Sequence, residues 1–260
     1  MADAKARITY NFDTWDAGTI TSSTEANSDL ADDNVVNDFV SKPWRTSADT
    51  GEWWKIDLGS AVNITCIGIF GHNLTAGATV TLEAHATDSF GSPTYSQALT
   101  IQTNADSVVR PWIVFYLNET FRWWRITFED GSNSDTYIEI GVIKAGAYYE
   151  FVRNFADQFG IPWVDPSEGD VVEGRQNNFR SRKRYRRAEI EVPMHNDTQR
   201  RKFEAIFEKI GREKPCILGL DPTNFPSEMS MFCYLRTPLQ LAHALTNFYN
   251  SRFTFSEVTE

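Results

Sequence analysis

The sequence predicts a mainly β protein, an antiparallel β-sandwich followed by a smaller α+β domain. Between residues 51 and 143, short runs of β-forming residues with period-two alternation follow one another, separated by Gly, Pro, Asn and Asp clusters, with no helical stretch between them. Aromatic residues are plentiful, with 18 Phe, 9 Tyr and 8 Trp in 260 residues. Trp in such numbers suits sandwich cores and recognition surfaces better than helical bundles. Beyond residue 170 the texture changes, and a single amphipathic helical pattern stands among strands.

The charge is uneven in the same way. The formal net charge is −10, and residues 1–150 hold 9 Lys and Arg against 20 Asp and Glu, whereas the remainder holds 16 against 15. Two electrostatic halves predict two domains, placed at 1–148 and 175–260 with a linker over 149–174, where Pro162, Pro166 and Gly169 break the periodicity. An acidic first half is a poor partner for nucleic acid or an anionic membrane surface. The opening MADAKARITYNF lacks the apolar region of a secretory signal, and no run approaches the ~18 apolar residues of a membrane helix. Cys66, Cys216 and Cys233 are odd in number and scattered in apolar contexts, which predicts buried thiols from a reducing compartment.

In chain order, ITYNF at 8–12 reads as an opening strand. The Ser-, Thr-, Asp- and Asn-rich stretch after it reads as ordered loop. Within it Asp29, Asp32, Asp33 and Asp38 form an acidic patch without the ligand order or Gly of an EF-hand, so a solvated loop is the expectation and no metal is assigned. GEWWKIDLG at 51–59 alternates, with Trp54, Ile56 and Leu58 on one face and Trp53, Lys55 and Asp57 on the other, and Gly59 is expected to stop it. ITCIGIF, TVTLEAHA, SQALTIQT, PWIVFYL, FRWWRITF and TYIEIGVI continue the series as separate strands. FRWWRITF repeats the pattern, with Trp124, Ile126 and Phe128 opposed to Trp123, Arg125 and Thr127, so each Trp pair is expected to give one core anchor and one outward ring.

In the second domain RRAEIEV at 186–192 reads as a half-exposed strand, and Asn196 or Asp197 caps a helix to residue 210 whose stripe is Phe203, Ile206, Phe207 and Ile210 and whose end is marked by Gly211. KPCILGLD, MFCYL and NSRFTFSEV supply three more strands.

PWRT, EWWKIDLG, ITCIGIF and FRWWRITF, closing in IEIGVIKAG, resemble the discoidin or coagulation-factor type C group of galactose-binding-like jelly-roll domains over about residues 8–148. That resemblance implies a jelly-roll sandwich, a structural Asp at position 57, and loops at one end that in many members bind sugars or lipid head groups. REKPCILGLD and RFTFSEV, with the helix between strands, resemble the tail-tube-like or hub domain of tail-tip proteins of long-tailed bacteriophages. Together the two resemblances imply a structural virion protein, a distal-tail or tail-tip ring component made in the host cytoplasm. Its implied partners are further copies of itself, other tail proteins and a host-surface glycan. The alternative is a carbohydrate-binding adhesin or accessory module without a ring-forming role.

No HExxH, GxSxG, P-loop or dinucleotide fingerprint occurs, and His72, His85, His195 and His243 lie far apart, so neither catalyst nor cofactor is expected. For sugar recognition the residues are Trp44, Arg45, Trp53, His72 and Trp123, because an aromatic face stacks on a pyranose while Arg or His bonds its hydroxyls. The competing role for Trp44 and Trp53 is core or domain interface, and for His72 loop capping. The basic run Arg175, Arg180, Arg182, Lys183, Arg184, Arg186 and Arg187 has only Phe179 and Tyr185 interleaved, in a chain of pI about 5.0, which falls short of a nucleic-acid surface. Arg180, Arg182, Lys183, Arg184 and Arg186 are therefore expected at a subunit interface, against an acidic protein surface.

Overall fold

The structure, a computed structural model, describes residues 5–156, 161–172 and 176–259. The strands are β1 Arg7–Thr9, β2 Thr19–Ser22, β3 Trp44–Arg45, β4 Glu52–His72, β5 Thr79–His85, β6 Tyr95–Leu99, β7 Trp112–Glu129, β8 Glu139–Gly146, β9 Tyr148–Glu150, β10 Trp163–Val164, β11 Glu168–Val172, β12 Gln176–Arg180, β13 Tyr185–Asn196, β14 Pro215–Gly219, β15 Ser230–Leu235, β16 Gln240–Leu245 and β17 Phe248–Glu257. The helices are the single turn α1 Asp13–Asp16 and the longer α2 Asp197–Ile210. The fold is mainly β with antiparallel sheets, as the alternation predicts.

The chain divides into two compact units. The first is Met1–Glu150 with Cys216–Phe232, the second Phe151–Pro215 with Cys233–Glu260.

In the first unit the order β3-β8-β4-β7-β5-β6 is antiparallel throughout, with β2 on β4. Gly59 does not end a strand. It takes φ +72°, its N–H is held by the Asp57 carboxylate at 2.8 Å, and Leu58 to Ala61 stand opposite Arg122 alone before pairing resumes at Val62↔Phe121. GEWWKIDLG and ITCIGIF are thus one bent strand, and PWIVFYL and FRWWRITF are likewise one, β7. A bulge with a left-handed glycine bends a strand without terminating it, so each long strand serves both halves of the sandwich.

One cluster fills the space between them, with Trp54, Ile56, Trp124 and Ile126 from the first half and Ile67, Ile69, Ile113, Ile140 and Ile143 from the second. Four indoles, Trp15, Trp44, Trp54 and Trp124, are fully buried. The N–H of Trp15, Trp44 and Trp54 each reaches a backbone oxygen, Ile143 O at 3.0 Å, Thr24 O at 2.9 Å and Asp32 O at 3.1 Å. Satisfying the donor lets the large apolar ring contribute its burial without an orphaned polar group.

The outer face of the second half is covered from within the same unit. Phe70 stacks on Phe232 at 4.9 Å, Trp112 donates to Ser227 O at 3.0 Å, the Val114 N–H reaches Ser227 Oγ at 3.0 Å, and the Tyr116 hydroxyl meets Ser230 Oγ at 3.1 Å. β14 pairs with β1, and β1 with β9. The segment 216–232, expected within a 175–260 domain, therefore belongs to the first unit. The reason is apolar: strand residues 66–70 are buried on both faces, so the sandwich needs this cover. The expected linker over 149–174 also contains strand, since β9, β10 and β11 fall within or across it and Phe151 is buried.

In the second unit β13 pairs with β10 and β17, and β17 with β16 and with Cys233–Leu235 of β15. Phe203 of α2 packs edge-on against Phe151, His195 and Phe253. Asn196 is the N-cap, its side chain accepting the Gln199 N–H at 3.0 Å, and Gly211 closes the helix at φ +53°. β16 was not legible as a strand, because QLAHAL has no strict alternation of apolar and polar residues.

Candidate functional site

Two surfaces of the first unit concentrate aromatic and hydrogen-bonding side chains. The first lies where β4 begins and β7 ends, among the loops at 23–27, 47–51 and 130–137. Arg45, from the two-residue strand β3, sends Nε and Nη2 to one carboxylate oxygen of Glu139 at 2.8 and 2.5 Å, and its guanidinium lies 4.3 Å from the Tyr137 ring centre. The bond to Glu139 holds the Arg45 pKa above its ordinary value. Asn73 ties this corner together, donating to Asp135 Oδ2 at 3.1 Å and Tyr137 O at 3.0 Å while accepting the Glu139 N–H at 2.8 Å. Arg45 and Glu139 are each about one third exposed, so part of the planar pair and the tyrosine beside it face solvent.

The second surface is the outward side of the layer β2-β4-β7-β5. Register places Thr21, Lys55, Arg125 and Glu83 in one cross-strand row, and Asp57, Trp123 and His85 in the next. The Lys55 ammonium lies 5.4 Å from the Trp53 ring and 5.3 Å from the Trp123 ring, and bonds both oxygens of Asp88 at 2.8 Å. Arg122 forks onto Asp57 at 2.6 and 2.7 Å, and this bond holds the Asp57 carboxyl below the usual range. Arg125 bonds Glu83 at 2.6 Å and lies 4.5 Å from the Phe90 ring. Asp57 thus has a structural role, inside β4 at the Gly59 bulge and not at a strand end.

The five expected sugar contacts are divided by this geometry. Trp53 and Trp123 come together around Lys55 on the outer face, and Arg45 stands at the loop end. Trp44 is 0% exposed, its ring packed near Phe128, and is a core residue with no face left for a ligand. His72 is 7% exposed at the end of β4, and neither ring nitrogen has a hydrogen-bond partner. Burial there pushes its pKa down to about 4, against a smaller upward pull from Asp130. His72 does not cap the loop. Asp130 does so instead, accepting from Thr75 N at 2.8 Å and Thr75 Oγ1 at 2.5 Å.

Glu139, Tyr137, Asn73 and Lys55 were missed as site residues, because polar residues inside or flanking strands look alike until the register gathers them. The acidic loop has its own cation. Lys144, 1% exposed, bonds Asp16 at 2.8 Å, Asp38 at 3.1 Å and Val36 O at 2.5 Å. Its signal was visible as the one charge in the apolar run IGVIKAG. Among the described residues no group of three or more His, Cys, Asp or Glu side chains is arranged to hold a metal ion. All three cysteines are buried and in no disulfide, and burial raises the Cys66 thiol to about 12.

In the second unit Arg180, Arg182, Lys183 and Arg184 are exposed. Arg182 pairs with Glu168 at 3.1 Å and Arg184 with Asp165 at 2.9 Å, so part of the run's charge is answered within the unit. Arg186 is a correction. It is buried and forked onto Glu257 at 3.0 and 2.5 Å, which removes it from any outward interface. It shares the strand face of Ala188, Ile190 and Val192, an alternation already present in RRAEIEV. Arg175 lies outside the described residues.

No family model matches the chain, and no curated protein matches it. Solved structures do. A chitosan-binding module of a chitosanase/glucanase from Paenibacillus sp. IK-5 aligns over 50% of this chain and 95% of its own, at 15% identity and TM-score 0.36. A Streptococcus pneumoniae fucose-binding module aligns over 51% and 96%, at 12% identity and TM-score 0.40. The lectin domain of lectinolysin, solved with Lewis B antigen, aligns over 50% and 92%, at 12% identity and TM-score 0.38. These neighbours are carbohydrate-binding modules, and at such identities and TM-scores the likeness assigns no ligand to this chain.

Proposed function

We propose that the first unit recognises glycan at its loop end, with Arg45, Tyr137 and Glu139 as the contact residues. The observation that carries this is the partly exposed guanidinium lying beside a tyrosine ring and braced by Glu139 and, through the backbone, by Asn73. A ring face takes the apolar side of a pyranose, while a planar donor fork and a carboxylate take adjacent hydroxyls. The bracing reduces the entropy lost on binding. The test is a glycan array followed by calorimetric titration of the best oligosaccharide, with affinity between about 1 mM and 1 μM expected. Arg45→Ala and Tyr137→Ala should each weaken it at least tenfold, and an array without a binder refutes the proposal.

A second reading concerns the second unit, which we read as an assembly module of a phage-tail ring. Its support is the exposed basic turn Arg180, Arg182, Lys183 and Arg184 together with the strongly acidic composition of residues 1–150, which suits a contact between copies. Native mass measurement is the test. Oligomers should be present and should weaken when Arg182, Lys183 and Arg184 become Ser, and a monomer throughout would sink the reading.

A further inference from the structure

The outer face of the β2-β4-β7-β5 layer differs electrostatically from the unit that carries it. Residues 1–150 are acidic by 20 to 9. On this face the charges pair off: Lys55 with Asp88, Arg122 with Asp57 and Arg125 with Glu83. Three cations and three carboxylates leave no net field to attract a polyanion or a polycation. The pairs also hold the rings in place. Trp53 and Trp123 flank one ammonium that is itself fastened to Asp88, and Phe90 lies against the guanidinium of Arg125 in the neighbouring position. Rings held in one rotamer lose little entropy when a ligand stacks on them. The row runs along and across strands, so it is elongated, unlike the compact corner at Arg45.

We propose that this face is a second binding surface, for an uncharged polysaccharide chain laid across Trp53, Lys55 and Trp123. The proposal rests on the glycan reading of the unit and extends it from a terminal or short sugar to a polymer. Two sites on one unit would raise avidity for a polymer displaying both epitopes, at the effective concentration set by their fixed spacing.

Affinity electrophoresis of the full chain in gels containing neutral β-glucan or xylan, with chitosan and polygalacturonate as charged comparisons, tests it. Retardation is expected in a neutral polymer and should persist in high salt, where the pull of chitosan on the acidic chain and of polygalacturonate on its basic turn is screened. Trp53→Ala with Trp123→Ala should lower that affinity at least tenfold, and Trp53→Phe with Trp123→Phe should restore most of it. Both Trp sites are half-buried and outward-facing, and an unchanged far-ultraviolet spectrum checks that the Ala pair folds. If neutral-polymer binding survives the Ala pair but is lost with Arg45→Ala, this proposal is overturned and the loop-end reading stands. Binding of oligosaccharides without any neutral polymer, or a preference for a charged polymer in high salt, also overturns it. No binding to polymer or oligosaccharide refutes both.

Discussion

Protonation of His72 is expected to weaken the first unit in acid, and the size of the effect follows from its burial. A histidine that titrates near 6.5 when unfolded and near 4 when folded leaves the native state unprotonated through a range where the unfolded chain takes up a proton. The folded pKa is the lower one, so the favourable contribution of the neutral ring is complete above about pH 6.5 and is lost as pH falls toward 4. With ~1.4 kcal/mol per pKa unit, the loss attributable to this residue is about 2 kcal/mol by pH 5 and about 3 kcal/mol at pH 4. Neither ring nitrogen has a hydrogen-bond partner to offset it, and the nearby Asp130 is already engaged by Thr75. Burial raises Asp16 and Asp32, which act in the opposite sense, and therefore the comparison must be a difference between variants. His72→Leu removes the titration and keeps an apolar side chain in the site. Urea unfolding followed by tryptophan fluorescence reports this unit, since seven of the eight Trp lie in it and only Trp163 in the other. Wild type should lose about 2 kcal/mol more than the variant between pH 7 and pH 5. Parallel pH profiles would show that the ring is solvated or paired, and the reasoning would fail.

Two further outcomes concern how the first unit is held. Lys144→Met removes the cation between Asp16 and Asp38 and should destabilise by about 2 to 4 kcal/mol, with part recovered in the triple variant that also carries Asp16→Asn and Asp38→Asn. Full stability of Lys144→Met in urea would contradict the clamp. A chain ending after Glu150 exposes Phe70 and Trp112, which 216–232 normally covers, so it should bind a hydrophobic dye and aggregate. In the full chain, Phe232→Ala should cost about 3 kcal/mol in the same unfolding assay, and a cost near zero would show that the cover contributes little.

Much of the fold was written in local order. Alternation alone assigned Trp54, Ile56, Leu58, Trp124, Ile126 and Phe128 to the core and turned Trp53 and Trp123 outward, because a strand's side chains must alternate faces. The Asn196 cap and the Gly211 stop followed from equally local chemistry. The site was less legible. Arg45 and the two outward indoles were found from residue type, but Trp44 looked as suitable as Trp53. The difference is that β3 is a short edge strand whose Trp44 turns into the core, and no neighbouring residue announces that.

Sequence by itself therefore determined the strands' inward faces and the long helix with its ends, both features set within a few residues. Only the tertiary structure decided that Gly59 bends a strand instead of ending it, that 216–232 covers the sandwich, that Arg186 is spent on Glu257, and that Lys55 gathers Trp53 and Trp123. Each of these depends on a partner far away in the chain. The same glycine, cation or indole has two acceptable local conformations, and the burial and charge pairing available across strands select one.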